Sequence, residues 1–274
     1  MKTSKLVLFI LLLLIGNTSL SLAQSQKDDV DTWLSQIKSN NWRERSSASF
    51  KLYNLPKDLQ TDGIKTALIN EFISEYHRFR DGTAEKCISE ENCEDNYYSW
   101  LYDIVSDMKD DRAFPVFMEI GSPTALAKYG EKGIEVIANN LNNVDCNYGL
   151  IHVKSIKHFI EENEHSGKIS KQLEKSIKRS LLSSFKTMNN PSKVDKTYKY
   201  RARECARVRI QVIKTLDYYV RDGDTEVIES LKGVADKDRY YHGLGFEGKQ
   251  SEKRYMVREE ATKILEKSDV NKSK

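Results

Sequence analysis

Residues Thr124 to Leu141 read TALAKYGEKGIEVIANNL, and this stretch decides the architecture. Ala125, Leu126 and Tyr129 share one stripe of a short helix. Gly130 follows where a left-handed C-cap is wanted, and Ile134, Ile137, Ala138 and Leu141 line one face of a second helix. Helices this short are marginal alone in water, so the hairpin persists only if neighbouring helices cover its apolar faces. The pattern therefore predicts a stack of helix pairs.

The flanking sequence continues the pattern in both directions. Val30, Trp33, Leu34 and Ile37 predict a short amphipathic helix that caps one end of the stack. Residues 42–53 and 60–79 predict a helix pair that turns at Pro56, with Ile64, Leu68, Phe72, Tyr76 and Phe79 on the inner face of the second member. Tyr97, Leu101, Ile104 and Met108 mark another helix. Asp110 and Asp111 are placed to start the next, in whose first turn Pro115 is tolerable. Beyond the hairpin, Ile151, Ile156, Phe159 and Ile160 mark a helix over 148–164. Ile169, Leu173, Ile177, Leu181, Phe185 and Met188 then step by three or four along the next. A long helix from about 198 to 220 carries Ala202, Cys205, Val208, Val212, Leu216 and Tyr219, and two more helices carry Val227 to Ala235 and Val257 to Leu265. Polar stretches at 80–93 and 236–251 interrupt the array. With only 4 Pro and 13 Gly in 274 residues, turns are too few for a many-stranded sheet.

Lys2 and Lys5, the apolar run from Leu6 to Ile15 and the small residues of Ser21-Leu22-Ala23 predict a signal peptide over 1–23. The run is shorter than the roughly 20 residues a bilayer crossing needs. The mature chain, 24–267 with a disordered tail at 268–274, is expected to be one secreted or periplasmic domain with no membrane span. Without the two lysines the balance of 44 basic and 41 acidic residues becomes 42 against 41, which provides no global field for nucleic acid. Export also fits the 4 cysteines. Cys87 and Cys93 flank a short polar loop that a disulfide would close, whereas Cys146 and Cys205 read as thiols that could stay free.

Two distant segments match when Ala48 is set against Ala261: Trp42 with Tyr255, Arg45 with Arg258 and Leu52 with Leu265. With VREEATKIL at 257–265, ALAKYG at 125–130 and DDRAFPVF at 110–117, this texture resembles bacterial HEAT-like repeat proteins. The resemblance implies an all-α, right-handed α-solenoid of antiparallel helix pairs that serves as a scaffold for a protein or peptide partner. Some members of that family resemble chromophore lyases.

Candidate sites follow from chemistry. His158, Glu161, Glu162 and His165 share a helix face that would suit a divalent metal, but the spacing is not HExxH and a solvated surface is the expectation. Arg201, Arg203, Arg207 and Arg209 crowd the start of the long late helix, where they either pair with acids of adjacent helices or grip a partner's anionic groups. Tyr240, Tyr241, His242 and Phe246 sit among glycines in the second interruption, where they either form a recognition surface or fold over the final core. Partner binding is assigned to these four with Arg203 and Arg207. His77 and His152 lack an evident catalytic partner, and no GxSxG elbow, P-loop or dinucleotide fingerprint occurs. The expectation is a binding scaffold without cofactor or metal, the alternative being a metal-assisted hydrolase or lyase-like enzyme with a ligand cleft.

Overall fold

The computed structural model describes residues 28–84, 94–164, 167, 169–188, 199–238, 242–243 and 253–272. Over these residues the chain is helical, with one short exception. Twelve helices are described: α1 (28–36), α2 (Trp42–Tyr53), α3 (Asp62–Arg80), α4 (Glu94–Met108), α5 (Phe114–Ile120), α6 (Pro123–Ala127), α7 (Glu131–Asn140), α8 (Cys146–Asn163), α9 (Lys171–Met188), α10 (Lys199–Arg221), α11 (Thr225–Lys237) and α12 (Met256–Lys272). Two two-residue strands, β1 (His242–Gly243) and β2 (Lys253–Arg254), pair antiparallel with His242 opposite Arg254. They bracket much of the second polar interruption, which was expected to be loop throughout. The predicted signal peptide lies outside the described residues. The expected tail at 268–274 is helical as far as Lys272, since no Pro or Gly follows Lys267 to stop α12.

The chain divides into two compact units, residues 1–116 and 117–274, where the sequence suggests a single domain. In the first unit α2, α3 and α4 pack on one another. Asn41 caps α2 by accepting from the Arg43 amide, and Thr61 caps α3 by accepting from that of Ile64, each satisfying a donor the helix cannot. Leu52, Ile64, Leu68, Phe72 and Leu101 form the core. On α3 the buried stripe runs through Ile69, Glu71 and Glu75, while Tyr76 and Phe79 are only half-buried. The inward face is thus rotated from the purely apolar one, and two carboxyls replace two aromatics inside.

In the second unit the substantial helix packings join elements one or two apart in the chain: α6 with α7 and α8, α7 with α8 and α9, α8 with α9 and α10, α9 with α10, and α10 with α11 and α12, which also pack together. Gly130, between α6 and α7, has φ 65° and ψ −142°. That region is almost confined to glycine, and it differs from the left-handed cap expected there. Gly133 is needed for proximity, because a Cβ placed on it would lie 1.8 Å from the Leu126 carbonyl oxygen. Ile134, Ile137, Leu141, Ile156, Leu181, Val212 and Leu216 fill the core. On α8 the buried position is His152 and Ile151 is exposed, the reverse of the apolar pattern. His152 Nδ1 lies 3.0 Å from the Tyr148 carbonyl, and burial pushes its pKa down.

Contacts tie helix ends together. A disulfide joins Cys146, the first residue of α8, to Cys205, seven residues into α10, with Cα atoms 4.9 Å apart. These cysteines are therefore bonded, a question their sequence neighbourhoods left open, because α10 brings Cys205 to the α8 N-terminus. At the other end Arg221, which closes α10, pairs with Glu164 just past α8 at 2.9 Å. The Ser170 amide, before α9, donates to Glu131 at the start of α7, and Ser176 lies 3.5 Å from Asn139 near the α7 C-terminus. Tyr219, late on α10, donates to the carbonyl of Glu174 early on α9.

Candidate functional site

Two assemblies of charged residues stand out, one in each unit, and they differ in whether their charge is available. In the first unit Arg45 is buried and forked between three carboxylates. Its Nε donates to Glu71 at 2.7 Å and its Nη2 to Glu75 at 2.6 Å and Glu94 at 2.9 Å, while Nη1 reaches the Ser39 carbonyl. Tyr97 donates to Glu71 and meets Ser49 at 2.9 Å, and Arg78 pairs with Glu94 at 3.0 Å. Three carboxylates against two guanidiniums leave one excess negative charge in a medium that solvates it poorly. Burial, joined by Glu71 and Glu94 and opposed by Arg45, accordingly pushes Glu75 up to about 7. Glu71 is also raised, by burial first, against the pull of Tyr97 and Arg45. Holding one proton, the cluster is neutral, and its geometry knits α2, α3 and α4.

A recess of about 310 Å³ beside the cluster is lined by Asn70, Glu71, Ser74, Arg78 and Arg45. Glu75 is not among the residues that line it, and its side chain is wholly buried. The group closest to neutrality is thus sealed beneath the recess, where it cannot meet a ligand.

In the second unit α9 forms one wall of an open groove of about 790 Å³, and the turn between α10 and α11 forms the other. Lys171, Lys175, Lys178 and Arg179 project from α9 at helical spacing. Opposite stand Asp222, Asp224 and Glu226, and Glu174, Leu182, Ser183 and Tyr219 also line the groove. Lys178 crosses to Asp224 at 2.8 Å and Glu226 at 3.1 Å, which raises its pKa through those two hydrogen bonds. Asp224 also caps α11 by accepting from the Val227 amide.

The residues singled out from sequence fall elsewhere. Tyr240, Tyr241 and Phe246 lie outside the described residues, and of His242 only the backbone, in β1, is described. Arg203 contributes its place on α10 alone. Arg207 is exposed and pairs within its own helix to Glu204 at 3.1 Å. Arg209 instead reaches Asp238 at 3.4 Å in a buried contact, the adjacent-helix pairing expected for this arginine group. His158 is exposed 3.3 Å from Glu162, Glu161 pairs with Lys157, and His165 lies outside the described residues. Among the described residues no group of three His, Cys, Asp or Glu side chains is placed to hold a metal ion, and no helix is long and apolar enough to cross a membrane. The Cys87–Cys93 pair also lies outside them.

Of the matched repeat positions, Ala48, Ala261 and Leu52 are fully buried and Leu265 is half-buried. Their arginines diverge: Arg258 stacks on Tyr255 and donates to the Asp238 carbonyl at 2.6 Å, whereas Arg45 meets carboxylates. Sequence reasoning missed Glu71, Glu75 and Glu94. The available signal was that Glu71 and Glu75 sit one turn apart, on the same side of α3 as Ile64 and Leu68. No protein-family model, curated protein or solved structure matches this chain.

Proposed function

We propose that this chain is an exported scaffold, a HEAT-like solenoid of antiparallel helix pairs, that binds a protein or peptide partner and catalyses no reaction of its own. The observation that carries this reading is the packing of the second unit, whose substantial helix contacts reach only one or two elements along the chain. The end-to-end ties supply direction. The Cys146–Cys205 bond near the starts of α8 and α10 and the Glu164–Arg221 pair beyond their ends favour a parallel course for these two helices. The Glu131–Ser170 and Asn139–Ser176 contacts do the same for α7 and α9, and Tyr219 against Glu174 opposes α9 to α10. Up-down alternation with every second helix parallel is how stacked helix pairs bury a continuous core. A disulfide that closes a long loop suits an oxidising compartment.

An open groove with its charges on two walls fits an extended segment better than a small substrate, which calls for a concave and mostly apolar pocket. The enzyme alternative draws less support, because Glu75 is sealed away from the recess beside it. The test is a photocrosslinking residue at Ser183 in the groove, with the same residue at Lys154 on the exposed side of α8 as control. Incubated with the native envelope or medium, the Ser183 protein should yield a discrete adduct that the control lacks. Equal labelling from both positions, or none from either, would count against a partner-binding groove.

A further inference from the structure

We infer that the α9 groove selects an acidic, extended segment of a partner protein, with carboxylates at alternate positions. This rests on the partner-binding reading above and adds what the partner must carry. The lining is balanced in formal charge, four cations against Glu174 on the same helix and Asp222, Asp224 and Glu226 opposite, but the charges are unequally paired. Lys178 bridges Asp224 and Glu226 at 2.8 and 3.1 Å. Lys171, Lys175 and Arg179 are exposed and make no ion pair with any described residue. The groove is formally neutral, but these three form an exposed row along α9, unpaired among the described residues, and it is this row that a partner's carboxylates would meet.

Geometry narrows the occupant further. Lys171, Lys175 and Arg179 recur every fourth residue of a helix, so their Cα atoms are spaced by about 6 Å along the axis. In an extended peptide, side chains on one face recur about every 6.6 Å. Three acidic residues at alternate positions therefore match three cations over two helical turns with little mismatch, while the intervening side chains face away. Leu182, three residues beyond Arg179 on α9, adds an apolar lining at the end of the charged row. A nucleic acid fits less well, because the aromatic in the groove's lining, Tyr219, is buried and offers no face on which bases could stack.

The test uses the mature, disulfide-bonded protein and a fluorescein-labelled nonapeptide of alternating glutamate and serine, followed by polarisation. Comparators are a peptide of the same composition with its glutamates in one block, a neutral glutamine and serine peptide, and a single-stranded oligonucleotide of similar length. The alternating peptide should bind best, weaken steeply between 50 and 300 mM salt as the Debye length shrinks to under about 10 Å, and lose at least tenfold in the K171E/K175E/R179E variant. The milder K175Q/R179Q variant should lose about threefold, and circular dichroism should show both variants as helical as the parent. Equal binding of the blocked or neutral peptide, unchanged affinity in the triple variant, or tighter binding of the oligonucleotide would overturn the inference. If acidic peptides fail while the Ser183 adduct still forms, the partner is not acidic but the groove reading survives. Loss of both removes the groove itself.

Discussion

Glu75→Gln should change how the first unit responds to pH, and the structure supplies the sign. Glu75 has a carboxyl buried beside Glu71 and Glu94, with Arg45 donating to it at 2.6 Å and Arg78 Nε 3.5 Å away. Its pKa rises from the usual 4.5 to about 7 on folding. A carboxyl that holds its proton more tightly in the folded chain stabilises it below the unfolded pKa and loses that contribution as pH climbs through the folded one. Stability of the first unit should therefore fall between pH 4.5 and 7, by about 3 kcal/mol at most from a shift of this size. Gln keeps an oxygen for Arg45 but cannot ionise, so the variant should lack this decline. It should match the parent near pH 4.5 and exceed it by on the order of 2 kcal/mol at pH 8, after allowing for one unpaired amide. All 3 tryptophans, Trp33, Trp42 and Trp100, lie in this unit, so urea unfolding followed by tryptophan fluorescence reports on it selectively. Superimposable midpoint-against-pH curves for parent and variant from pH 4.5 to 8 would refute the account of the cluster as holding one shared proton.

Gly133→Ala should lower the thermal midpoint of the second unit, read by far-ultraviolet circular dichroism. The new Cβ meets backbone at 1.8 Å and forces α6 from α7, a loss of about 1 to 3 kcal/mol. Paired Cys146→Ser and Cys205→Ser substitutions should cost about 4 kcal/mol, since the bond spans 59 residues of the unfolded chain. An equal drop on adding dithiothreitol to the parent, and none in the double variant, would identify that bond as the cause. Asp224→Ala removes both the α11 cap and the anchor of Lys178, and is expected to destabilise by about 1 to 2 kcal/mol in urea titrations. Asp224→Asn should recover most of this, because a side-chain oxygen still caps the helix.

Much of the helical layout is legible in the chain because it is local. The 3.6-residue recurrence of Leu173, Ile177, Leu181 and Phe185 is a property of one segment, and those residues are buried as the pattern requires. Asn41, Thr61 and Pro115 mark helix starts by chemistry that acts within one turn. The sites were not legible in this way. The partners of Arg45 lie 26, 30 and 49 residues away. Cys146 and Cys205 could each have paired with either of two other cysteines, and nothing in their own neighbourhoods distinguishes the choices.

What the sequence alone determines is which segments are helices and which of their faces are oily, since backbone geometry and side-chain polarity settle both within a few residues. Only tertiary packing decides which charges cancel. Lys178 and Arg179 are neighbours of the same sign, yet one is held by Asp224 and Glu226 while the other faces solvent. That distinction depends on a turn more than forty residues further on being folded back against α9, and Coulomb attraction acts on distance in space rather than on position along the chain.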